Sequence, residues 1–143
     1  MIINLVASAC LITATVLVQT SGLILITHLL SRFAQLFHPE GWIGKVITLA
    51  LAVFGIIAMM GAEIAIWAIF YASAGAFPDF GTSLYFSIVT FSTVGYGGLN
   101  PHPDWRLLSA FEGLIGFLFI GWSTVYLAFA STRFGPFREG EHF

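Results

Sequence analysis

Charge is scarce in this sequence. Asp, Glu, Lys and Arg supply only 8% of its 143 residues, whereas 58% are hydrophobic and the mean hydropathy is +0.93. Soluble domains carry roughly 25% charged residues, so an ordinary water-soluble fold is excluded. The five basic residues are scattered and leave no surface for nucleic acid. None of the apolar runs carries an arginine ladder, so no element can sense voltage by moving charge. Cysteine is just as scarce: Cys10 stands alone, cannot form an intrachain disulfide and leaves the redox compartment unread. His28, His38, His102 and His142 lie far apart, without the paired spacing that holds a metal. The acidic residues inside apolar runs come with no nucleophile or histidine partner, so neither an enzyme nor a bound cofactor is expected.

What the sequence does have is long apolar stretches. Residues 1–31 contain no charged side chain, 46–78 contain only Glu63, and 107–132 contain only Glu112. Each exceeds the roughly 20 residues that cross a bilayer as a helix. The expected organisation is an N-terminal membrane helix over 1–30, a cytoplasmic connection over 31–44, a second helix over 45–72, a third over 105–131 and a cytoplasmic tail over 132–143. No basic residue precedes the first apolar run, which argues against a cleaved signal and against lipid attachment at Cys10 in "VASAC". Arg32, Lys45, Arg133 and Arg138 fall on one side of this scheme and only Arg106 on the other. The positive-inside rule then puts the N-terminus outside and the C-terminus in the cytoplasm, with the plasma (inner) membrane as the expected location.

Three polar or aromatic patterns sit on this frame. The connection "SRFAQLFHPEGWIG" mixes apolar and polar residues and reads either as an interfacial segment or as a plain loop. Trp42, Trp67, Tyr71 and Trp105 lie near helix ends, where amphipathic aromatics meet headgroups, although Trp67 is equally placed to pack inside. Asn4, Ser8, Thr15 and Gln19 share one side of the first helix, which suits hydrogen bonding to the second helix or to a neighbouring subunit.

A fourth apolar region, Phe80 to Leu99, is interrupted by Gly81, Gly95, Gly97 and Gly98. About 11 residues, 82–92, are left for a helix, roughly half the hydrocarbon thickness. A re-entrant half-helix with a non-helical return is expected, and such backbone survives at membrane depth only in protein or against a wet cavity.

That return, "TVGYG" from Thr93 to Gly97, resembles the selectivity filter of the potassium channel superfamily. "SLYFSIVTFSTVGYG" is similar to the family's pore helix running into its filter, and "NPHPDWR" to the exit loop. "GLIGFLFIGWSTVYLAFA" is similar to the inner helix with its two spaced glycines. The resemblance covers about two-thirds of the chain and leaves the N-terminal helix as an addition. It implies an all-α integral membrane fold with three transmembrane helices and a re-entrant pore loop per subunit. In this reading 45–131 is the pore module: outer helix 45–72, pore helix 82–92, filter 93–97 and inner helix 105–131. One pore loop per chain implies a homotetramer, with membrane lipids as the other partner, and the activity implied is passive, potassium-selective conduction. Uptake transporters that resemble these channels usually concatenate four loops in one chain and relax the glycine pattern, and this sequence does neither.

The resemblance places permeant potassium at Thr93, Val94, Gly95 and Tyr96, with Gly97 completing the filter. Its physical basis is that rings of backbone carbonyls replace the ion's water. Successive carbonyls point the same way only if the backbone alternates between right- and left-handed conformations, which Gly95 and Gly97 permit. Val94 and Tyr96 are then expected to wedge against the pore helix near Tyr85 and Phe86, while that helix aims its partial negative end at a cation. On the inner helix the resemblance aligns Phe117, Ile120, Thr124 and Ala128 with a pore-facing stripe that would gate by dewetting; packing against the second helix is the other reading. Gly116 and Gly121 read either as hinges or as points of close helix packing.

Two departures qualify this. The family usually follows TVGYG with Asp, tied to a pore-helix Trp; here the residues are Gly98 and Tyr85. The outer filter is less restrained as a result, and the alternative is a non-selective cation channel or a non-conducting structural or accessory subunit. Glu63 and Glu112 fall at filter depth, where an ionised carboxylate costs several kcal/mol. Filter support, interhelical hydrogen bonding and a proton-sensing gate are the three readings for them.

Overall fold

The computed structural model describes residues 2–37 and 41–137. Its helices are α1 (Ile2–Phe37), α2 (Trp42–Ser73), α3 (Phe80–Phe91) and α4 (Arg106–Arg133), the last preceded by a 3-10 turn at Pro103–Trp105. Three of them are long and apolar enough to cross a membrane, and the short apolar α3 is not. No strand occurs among the described residues.

The first helix runs on past the expected end at residue 30. "SRFAQLF" holds no glycine or proline, and its Arg, Ala, Gln and Leu are good helix formers, so α1 continues until two residues before Pro39. Since α2 already starts at Trp42, most of the expected connection over 31–44 is helix. His38, Pro39 and Glu40, and the tail from Arg138 through His142 to Phe143, lie outside the described residues.

The end of α2 is fixed by glycine. Gly75 takes φ +65, Ala76 N–H donates to Tyr71 O at 3.0 Å and Gly75 N–H donates to Ala72 O at 3.3 Å, the paired bonds of a Schellman stop. Helix α3 starts on Asp79, whose carboxylate accepts from Thr82 N–H at 2.8 Å and from the Thr82 hydroxyl at 2.7 Å. These hydrogen bonds, that from the hydroxyl foremost, hold the Asp79 carboxyl below the usual carboxylate range.

Helix α3 buries one face, Ser83, Phe86, Ser87 and Phe91, between α2 and α4. The main core joins it to Trp67 and Tyr71 of α2 and to Leu108, Ile115 and Phe119 of α4. Trp67 and Tyr71 are thus fully buried among the helices, whereas Trp42 is 71% exposed. Tyr71 meets Phe86 and Phe77 edge-on, with ring centroids 5.3 and 5.9 Å away.

Helix α1 packs against both α2 and α4. Leu23, Ile26 and Leu30 form a second core with Ala52, Ile56 and Met59 of α2. The polar side of α1 turns mainly to α4, not to α2: Gln19 Nε2 donates to Ser123 Oγ at 3.2 Å, and Thr27 Oγ1 lies 2.9 Å from Tyr126 OH. Asn4 Nδ2 donates to the Asp104 carbonyl just before α4. Thr15 donates to Leu11 O in its own helix, and the buried Ser8 hydroxyl has no partner among the described residues.

Candidate functional site

Thr93 to Asn100 follows α3 as exposed, non-helical backbone. Left-handed φ values fall at every second residue: Thr93 at +60°, Gly95 at +56° and Gly97 at +75°. Glycine accepts that region at little steric cost, whereas threonine reaches it because it follows the Ser92 cap of α3 and donates its N–H to Thr90 O at 3.0 Å. Gly95 N–H donates to Val89 O at 3.2 Å, which ties the segment to the end of α3. Among the described residues no backbone donor reaches a carbonyl of Thr93 to Gly97. The segment therefore presents unpaired carbonyl oxygens directly beyond a helix C-terminus, an arrangement suited to a cation.

Gly98 continues the pattern with φ +83, so two consecutive residues, Gly97 and Gly98, lie in the left-handed region. This gives a local reason for glycine where the resembling family usually carries Asp.

The expected wedge does not form within one chain. Tyr96 is 77% exposed, Val94 50% and Tyr85 48%, while Phe86 turns into the core against Tyr71 and Phe77. Between α3 and the segment lies a cavity of about 220 Å³, lined by Tyr85, Val89 and Thr90 on one side and by Gly95, Gly97 and Leu99 on the other. The Val94 and Tyr96 side chains of the segment thus remain open at the surface of the chain.

The two glutamates behave differently. Glu112 is fully buried and joins three helices: Tyr71 OH lies 2.7 Å from its Oε2 and Ser87 Oγ 2.5 Å from its Oε1. Ser87 Oγ also lies 3.0 Å from the Ile64 carbonyl. Glu63 is equally buried, but neither carboxylate oxygen has a hydrogen-bond partner among the described residues. They do not bond to each other, and neither bonds the backbone of the segment. Of the three readings, Glu112 shows interhelical bonding, and it reaches α3 through its middle rather than through the filter. Residue type alone singles out neither Ser87 as the partner of Glu112 nor Asp79 as the cap of α3. The signal available is Ser83 and Ser87, one turn apart on the same side of the half-helix.

On α4 the buried face is Leu108, Glu112, Ile115, Gly116, Phe119 and Ser123. Phe117, Thr124 and Ala128 are exposed and Ile120 is half-buried, so this stripe turns away from the core of the chain. Thr124 and Ala128 also flank a groove of about 260 Å³ with Leu49 and Val53 of α2. Helix α4 runs unbroken through both glycines. Gly116 lies under the end of α3, where an added Cβ would come within 2.9 Å of Phe91 Cα; Gly121 has nothing within 4 Å. Gly116 therefore marks a close helix contact, not a bend.

A family model described as "Ion channel" matches residues 59–132, more than half of the chain and all of α3, the segment beyond it and most of α4. No curated protein and no solved structure gives a significant match.

Proposed function

Because the chain belongs to the ion-channel family whose model spans residues 59–132, we propose that four copies form a passive, potassium-selective pore around the Thr93 to Gly97 backbone. The observation that carries this reading is the alternation of left-handed residues at 93, 95 and 97, with carbonyls free of backbone donors. Four such strands around one axis supply stacked oxygen rings that replace the water of a potassium ion. Potassium at Thr93, Val94, Gly95 and Tyr96 is the cargo, not a cofactor, and the protein does no covalent chemistry.

Assembly also accounts for surfaces that one chain leaves open. The exposed Val94, Tyr96 and Tyr85 are the faces on which an adjacent copy would wedge its own pore helix, fixing the filter width between subunits. The Phe117, Ile120, Thr124 and Ala128 side of α4 would line the water-filled cavity below the filter, into which the C-terminal ends of the four α3 helices point. Basic residues at the Arg32, Lys45 and Arg133 end support a cytoplasmic position for that end, with the N-terminus outside.

Gly98 and the exposed Tyr85 favour a second reading, a cation pore with little preference, since no acidic anchor follows the filter. Mass measurement of the detergent-solubilised protein and tracer flux in liposomes test both. A tetramer with potassium flux well above sodium flux is expected. Equal fluxes favour the second reading, and a monomer or dimer that conducts refutes the shared filter.

A further inference from the structure

The carboxyl of Glu112 sits among oxygens with too few protons to satisfy them. Tyr71 OH is 2.7 Å from Oε2, Ser87 Oγ is 2.5 Å from Oε1, and Ser87 Oγ is 3.0 Å from Ile64 O. Tyrosine and serine hydroxyls each donate once. Among the described residues Tyr71 OH has only Glu112 within reach, so its proton goes to Oε2. If Ser87 gives its proton to Glu112, its contact with the Ile64 carbonyl sets two oxygen lone pairs against each other. If Ser87 donates to Ile64, the contact with Glu112 is a hydrogen bond only when the carboxyl brings a proton of its own. The 2.5 Å length lies at the short end of the range for either direction, so the direction rests on the Ile64 contact.

The surroundings point the same way. Helix α3 contains no charged residue, α1 has none before Arg32, and the middle of α2 offers only the acidic Glu63. On α4 itself the nearest cation, Arg106, is six residues away, about 9 Å along the axis. A buried carboxylate with no cation beside it is strongly disfavoured, while a carboxylic acid with every hydrogen bond made is not.

We propose that Glu112 binds a proton on Oε1 and donates it to Ser87, which relays its own proton to the Ile64 carbonyl. The neutral acid is a positioning residue: it pins the middle of α3 to both flanking helices with a chain of three directed hydrogen bonds. The proton assignment concerns packing within the subunit. Only its consequence for conduction rests on the pore reading above.

Infrared spectroscopy of the reconstituted protein at neutral pH tests it. In the difference between wild type and Glu112→Gln, Glu63 and the surface carboxyls cancel. The expected result is loss of a protonated-carboxyl C=O band with no loss of carboxylate absorption; loss of carboxylate absorption in its place overturns the proposal. The amide of Glu112→Gln can donate to Ser87 and accept from Tyr71, so the variant is expected to keep the native assembly. A second measurement does not depend on that variant. Tyr71→Phe removes the donor to Oε2, so the Glu112 C=O band should move to higher frequency, and an unmoved band overturns the assigned directions. Potassium flux is read separately on the same samples, so failure of the pore reading and failure of the proton assignment are distinct results.

Discussion

Replacing Gly116 by alanine should loosen the contact between α3 and α4 by a calculable route. An added Cβ would lie 2.9 Å from both Phe91 Cα and its carbonyl carbon, and closer still to the carbonyl oxygen. These are backbone atoms at the end of α3, so no rotamer change relieves the overlap, and Phe91 itself is fully buried against Phe119. Overpacking of this kind costs about 1–3 kcal/mol, whereas alanine for glycine within a helix returns about 0.5–1 kcal/mol. The net effect per chain is a destabilisation of up to about 2.5 kcal/mol. Gly121→Ala is the control: the same helix, the same substitution, and nothing within 4 Å, so only the helix gain applies. The assay is thermal unfolding in one detergent, followed by circular dichroism, with potassium and sodium flux measured on the same variants. Gly116→Ala should melt below wild type and lose selectivity, because Phe91 lies two residues before Thr93, while Gly121→Ala should melt at or above wild type. Equal stability of the two variants refutes the contact and restores bending as the reason for the glycine.

Two further outcomes follow from local geometry. Gly95 has φ +56 with open space where a Cβ would go, so Gly95→Ala carries a conformational cost alone, about 1–2 kcal/mol in each copy, and should abolish preference for potassium over sodium; an unchanged preference removes the filter from this segment. Asp79 has its folded pKa below the ordinary value, chiefly through the Thr82 hydroxyl, so its stabilising effect is complete above the ordinary carboxylate range and is lost as pH falls through the depressed folded value. The melting gap between wild type and Asp79→Ala should therefore be widest at neutral pH and close in acid, and a gap that does not change with pH would show that the carboxylate is not the cap.

What the sequence makes legible is what is local. The three apolar spans are visible because bilayer crossing needs only length and hydropathy, which adjacent residues settle together. Left-handed backbone at Gly95 and Gly97 is suggested by residue type alone, whereas nothing in residue type announces it at Thr93, where the cap of α3 imposes it. The end of α1 is hard to read because "SRFAQLF" mixes polar with apolar residues, which suits an interfacial segment or a loop as well as a helix, though no residue there stops a helix before Pro39. The Glu112 centre was illegible for another reason. Its partners are 41 and 25 residues away in sequence, and only the packing of α2, α3 and α4 decides that Tyr71 and Ser87, not a headgroup or the filter backbone, meet that carboxyl.

The shortness of α3 also constrains how the subunit is built. Twelve residues make a helix of about 18 Å, which cannot hold itself across some 30 Å of hydrocarbon. Its buried side is matched by α2, made before it, and by α4, made after it. A nascent chain that has released α3 but not α4 lacks both Glu112 for Ser87 and the Gly116 seat for Phe91. The surface that buries the half-helix is therefore incomplete until α4 packs against it. A chain cut short before α4 is expected to leave α3 with α2 alone to pack against.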